Sequence, residues 1–88
     1  MKHAGAAALD ALEPLIERVR GIAALKEKSR GVFYVRSRAF LHFHEDPAGL
    51  FADLRLSGDD FDRVRVEDAE EQDALIARIK AALLAPPT

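Results

Sequence analysis

The sequence predicts an α+β domain, a two-layer sandwich of order α-β-β-β-β-α whose antiparallel meander carries both helices on one face. Three observations predict it. Apolar residues recur at helical spacing near each end of the chain. Four strand-like runs fill the middle. The breaks between those runs are short and rich in turn residues.

The first helix is expected from about Leu12 to Leu25, because Leu12, Leu15, Ile16, Val19, Ile22 and Ala23 make one apolar stripe. Pro14 argues for a start near that residue, and Asp10 with Glu13 would form a capping box slightly earlier. Residues 1–10 are then expected to fray, and Lys26 to Gly31 reads as an exit loop. The four strands are Val32–Val35, Ala39–Glu45, Leu50–Leu56 and Phe61–Val66. The turns Arg36–Arg38, Asp46–Gly49 and Ser57–Asp60 make them hairpin neighbours. The second helix is expected from Ala69 to Leu84, with Asp68 as N-cap and Glu71 completing a capping box. Leu75, Ile76, Ile79, Ala82 and Leu83 form its buried stripe, and Ala85-Pro-Pro-Thr88 is a tail that stops it.

The 88 residues make a single domain, with 49% hydrophobic and 32% charged residues, an ordinary globular composition. Cysteine is absent, which excludes disulfides, thiolate metal sites and a cysteine nucleophile. No apolar run reaches the roughly 18 residues of a membrane span. The Ala-rich start is broken by Asp10 and Glu13, unlike a secretory signal, so a cytoplasmic protein without membrane association is expected. The net charge of −2 hides an asymmetry: seven basic residues against Glu27 between Arg18 and Arg38, then eleven acidic against three basic between Glu45 and Asp73.

Alternation divides each strand between two faces. Leu41 and Phe43 belong with Leu50, Ala52, Leu54 and Leu56 under the helices. A turn from Asp46 to Gly49 pairs Glu45 with Leu50, Phe43 with Ala52 and Leu41 with Leu54. The same register sets His42 opposite Asp53, His44 opposite Phe51 and Phe40 opposite Arg55. In the next hairpin, Val64 and Val66 are placed opposite Leu54 and Ala52, with Arg65 beside Asp53 and Arg63 beside Arg55. The outer face then carries Phe40, His42, His44, Phe51, Asp53, Arg55, Phe61, Arg63 and Arg65.

That face is read first as an interface. Aromatics and arginine are the types enriched in interface cores, and a symmetric homodimer is the commonest oligomer. Asp53 would be its buried anchor, with His42 and Arg65 as partners. The expected function is a non-enzymatic interaction domain that self-associates, with no cofactor. Two alternatives accompany it. Arg36, Arg38, Arg63 and Arg65 with the phenylalanines would bind an anion or a nucleic acid. His42, His44 and Asp53 would bind zinc or iron, with His3 the one further histidine, in the terminus expected to fray. No G-x-S-x-G, phosphate loop or dinucleotide fingerprint occurs, so no catalytic residue is assigned.

The stretch Val35-Arg-Ser-Arg-Ala-Phe40, followed by a hairpin and a charged strand, resembles the MmcQ/YjbR-like proteins. These are small bacterial α+β domains with a strand, a tight basic turn and a strand ending in phenylalanine. The resemblance implies the fold, a bacterial cytosolic setting and a suggested DNA-binding role. The chain lacks that family's tryptophan-bearing segment after the sheet, and the resemblance supplies no catalytic residue.

Overall fold

The computed structural model describes residues 2–84, apart from the side chains of Leu56 and Ser57. The tail expected after Leu84 and the inward placement of Leu56 lie outside the described residues. The fold is α+β, as the periodicities predict. Its elements are β1 (Lys2–His3), α1 (Ala6–Arg20), β2 (Lys26–Ser29), β3 (Val32–Val35), β4 (Arg38–Asp46), β5 (Gly49–Ser57), β6 (Asp60–Arg65) and α2 (Ala69–Leu84). Strands β2 to β6 run in sequence order as an antiparallel meander, and β1 pairs with β4.

One buried cluster joins the helices to the inner sheet face. Leu12, Leu15, Ile16 and Val19 of α1 and Leu75, Ile76 and Ile79 of α2 meet Leu41, Phe43, Ala52 and Leu54 there. Helix α1 begins at Ala6, earlier than expected, and runs through Pro14. Ala6, Ala7 and Ala8 are the strongest helix formers, and buried Ala8 extends the stripe one turn toward the N-terminus. That extension offsets the backbone bond Pro14 cannot make. The helix ends at Arg20 because the chain tightens into turns: Gly21 N–H donates to Arg18 O at 3.2 Å and Ile22 N–H to Val19 O at 3.0 Å. Helix α2 keeps its expected bounds, and its capping box forms. Glu71 N–H donates to Asp68 Oδ1 at 2.8 Å, and Asp68 N–H donates to Glu71 Oε1 at 3.3 Å.

Two strands escape the sequence pattern. Strand β2, expected as a loop, reads Lys-Glu-Lys-Ser and shows no apolar alternation. It is an edge strand, where lysine discourages pairing with other chains. Ion pairs hold it to α1. Arg20 of α1 donates to Glu27 at 2.7 Å, and Arg30, in the turn after β2, reaches Asp10 and Glu13 of α1 at 2.8 Å. Hydrogen bonds from Arg30 and Arg20 hold the Glu13 carboxyl down to about 2. Strand β1 occupies residues expected to fray.

The β2–β3 hairpin turns through Gly31 at φ 78°, a left-handed conformation, and a Cβ there would lie 2.8 Å from Leu9 Cδ2. Gly31→Ala is therefore expected to destabilise the fold by about 1–3 kcal/mol in urea unfolding. A loss below a few tenths would show that the hairpin has another conformation open to it.

The β4–β5 register is the one hydrophobic pattern selects, with Leu41 facing Leu54, His42 facing Asp53, Phe43 facing Ala52, His44 facing Phe51 and Glu45 facing Leu50. The β5–β6 register is shifted by two residues from expectation. Val64 faces Ala52, Arg63 faces Asp53, Arg65 faces Phe51 and Phe61 faces Arg55. The hairpin closes with Ser57 opposite Asp60 and Gly58 at φ 60°, a tighter turn than the four-residue one expected. A shift of two keeps each side chain on its face and changes only its partner.

Phe40 is the one outer-face residue that the structure moves. The β3–β4 ladder runs from Phe33 opposite Leu41 to Tyr34 opposite Ala39, so Phe40 is an extra residue without a partner on β3. It is 7% exposed and belongs to the same buried cluster as Leu41. An irregularity in the ladder suspends alternation locally, and the apolar ring follows the core.

Candidate metal centre on the open sheet face

Alternation along β4 sends His42 and His44 to the face away from the helices, because Leu41 and Phe43 are in the core. Strand β3 accompanies β4 only as far as Leu41. Beyond that point β1 takes its place, with His3 paired to His44 and Lys2 to Glu45. Ala4 N–H donates to Phe43 O at 3.1 Å and continues the ladder. Directly paired residues share a face, so the His3 ring lies over the same surface. It stacks on His44 with ring centroids 4.7 Å apart and lies 5.5 Å from His42. One nitrogen from each of His3, His42 and His44 lies within 4.8 Å of the others. A tetrahedral ion with metal–nitrogen bonds of about 2.0–2.1 Å spaces its ligands about 3.3 Å apart.

Asp53 has different partners from those expected. The two-residue register shift brings Arg63 to it in place of Arg65. The guanidinium binds both carboxylate oxygens, Nε to Oδ1 at 2.7 Å and Nη2 to Oδ2 at 2.8 Å. The histidine within hydrogen-bonding reach is His44, diagonally placed, with Nε2 3.0 Å from Asp53 Oδ2. His44 Nε2 is also 2.9 Å from His42 Nδ1. A carboxylate only accepts, so the His44 proton belongs on Nε2, between two acceptors. His44 Nδ1 then carries a lone pair, and it is buried without a hydrogen-bond partner among the described residues. An imidazole whose N–H is held by a carboxylate has its tautomer and ring orientation fixed.

Electrostatics keep this cluster ready to coordinate. Burial lowers the His42 pKa, so His42 is neutral at pH 7. Burial alone would raise the Asp53 pKa. The Arg63 hydrogen bonds and the charges around it outweigh burial and lower it, so Asp53 stays ionised. Neutral imidazole and an ionised supporting carboxylate are the forms metal binding needs.

The remaining outer-face residues have distinct roles. Phe61 packs beside His42 at 4.9 Å and lies under the Arg55 guanidinium at 4.6 Å. Arg55 also donates to Ala39 O at 2.7 Å, a brace across the sheet. Phe51 is half-buried opposite His44 and next to exposed Arg65. Of the arginines considered for anion binding, Arg38 pairs with Asp59 at 2.6 Å, Arg63 with Asp53, and Arg65 lies 3.9 Å from Glu71. Arg36 is exposed in the β3–β4 turn at φ 60°. A carboxylate beside each of the other three reduces the positive potential they present.

Sequence reasoning placed Asp53 third in a metal site with His42 and His44. Asp53 is engaged by Arg63, and the third imidazole comes from His3. A two-residue strand is too short to show a period, so the pattern carried no signal for it.

The chain matches no family model, no curated protein and no solved structure. Among the described residues, no helix is long and apolar enough to cross a membrane. The fold and the site define an α+β domain with a histidine cluster on its open sheet face.

Proposed function

We propose that this domain binds a divalent late transition metal through His3, His42 and His44. The observation that carries the reading is the convergence of three imidazole nitrogens within 4.8 Å on one sheet face. The support of His44 by Asp53, itself clamped by Arg63, strengthens it. Imidazole donors suit zinc, copper, nickel and iron, and with no cysteine the site has no thiolate to select among them. Three protein ligands leave a tetrahedral ion one position for water or another donor.

Titration of metal-free protein with zinc in a calorimeter is expected to show one ion per chain. Asp53→Asn, which keeps the side chain's shape but weakens the support of His44, is expected to reduce affinity by about 10–100-fold. Absence of zinc, copper or nickel binding at micromolar protein would end this reading.

Self-association through the same face is the second reading. Both helices pack against the inner face, and Phe51 and Phe61 remain half-buried on the outer one with no element over them among the described residues. A concentration-dependent rise in sedimentation mass, abolished by Phe51→Asp, is the expected result. A monomer at about 100 μM, well above a micromolar Kd, would remove it.

A further inference from the structure

We infer that the metal acts as a clasp on the N-terminal strand, so that metal binding and docking of Lys2 to Gly5 against β4 are thermodynamically coupled. This rests on the metal-binding reading and adds to it a conformational consequence.

The three imidazoles are held very unequally. His42 and His44 stand on β4, which is paired along both edges and packed over the core. His3 stands on a two-residue strand whose side chains are exposed. Among the described residues, that segment is tied down by its two-residue ladder to β4, the stacking of His3 on His44 and a few surface attachments. Gly5 N–H donates to Glu45 Oε2 at 2.6 Å, Lys2 Nζ lies 3.7 Å from Glu45 Oε1, and Ala4 N–H donates to Phe43 O at 3.1 Å. Lys2 is exposed, which leaves its ion pair with Glu45 a small contribution. Ala4 alone touches the core, and only partly. The first fully packed anchor comes later, at Ala8 and Leu12 of α1. A segment with few buried contacts and exposed backbone hydrogen bonds opens locally far more readily than the sheet it joins.

A ligand that binds only the docked form must stabilise it by as much as the docked form strengthens the ligand. Coordination by His3 is available only when β1 is paired, because the ring reaches His42 and His44 through its position opposite His44. The metal therefore closes this strap, and releasing the metal returns it to those attachments alone.

The test is amide hydrogen exchange of the full chain with and without zinc, read at Ala4, whose N–H donates to Phe43 O. Glu71, whose N–H bonds to the Asp68 side chain in the first turn of α2, is the control. Zinc is expected to slow Ala4 at least tenfold more than Glu71, and His3→Ala is expected to abolish the difference. Zinc that binds at one ion per chain without slowing Ala4 would overturn the clasp and leave the metal site standing. Zinc that does not bind would overturn both.

Discussion

Arg63→Ala is expected to destabilise the fold by about 2 kcal/mol at pH 7 and to reverse the local pH dependence of its stability. Asp53 is 6% exposed, and both its oxygens are held by the Arg63 guanidinium. Removing the guanidinium leaves a buried carboxylate with His44 alone. The loss is smaller than for a fully enclosed pair, because the Arg63 side chain is 46% exposed and water partly replaces it.

The pH dependence separates this mechanism from simple loss of packing. In the native chain, burial opposes ionisation of Asp53 and the Arg63 hydrogen bonds overcome it, leaving the pKa lowered. A lowered carboxylate contributes stability that is complete above its unfolded pKa of about 4. That stability is lost as pH falls through the folded value. In the variant, burial acts without the guanidinium and the folded pKa rises. The folded variant then takes up its proton before the unfolded chain does, so its deficit narrows as pH falls from about 7 to about 4.5. Urea unfolding at both pH values measures this, and a deficit independent of pH would refute it.

The second large effect is expected at His44, with binding and stability moving separately. His44→Leu should lower zinc affinity by on the order of 100-fold or more, exceeding the loss from weakening its supporting carboxylate. The metal-free variant should lose only about 1 kcal/mol: leucine removes the Nε2 bond to Asp53, whose oxygens keep Arg63, and with it a buried nitrogen that has no partner among the described residues. Zinc at 100 times its native Kd should stabilise the native chain by about 2.7 kcal/mol and the variant by no more than about 0.4 kcal/mol. Thermal unfolding with and without zinc reads both. A metal-free variant that unfolds outright would show that the imidazole serves the fold.

These expectations differ from those of the sequence at two positions, for two reasons. Arg65 was the expected partner of Asp53, and Arg63 is the observed one. Val64 and Val66 alternate correctly in both registers, so hydrophobic pattern cannot distinguish a shift of two residues. Turn closure at Gly58 and Asp59, together with the irregularity in the ladder between Arg55 and Ser57, decides between them. Phe40 was expected outside with His42, and it lies in the core. Strict alternation places it outside, and the extra residue in the β3–β4 ladder overrides alternation.

Periodicity by itself determined the α+β class, the capping box of α2, the inner face of β4 and β5 and their register. These follow from side-chain spacing within single elements and one short turn, all of which are local in sequence. It also placed His42, His44 and Asp53 on one outer face. Only the tertiary structure could bring His3 to them, because its strand is two residues long and its partner lies some forty positions away. Tertiary structure likewise chose Arg63 over Arg65 and held the polar strand β2 in place through ion pairs from α1. A residue whose position is decided by what its neighbours leave open, as β3 leaves the edge of β4 open beyond Leu41, has no signature in its own segment.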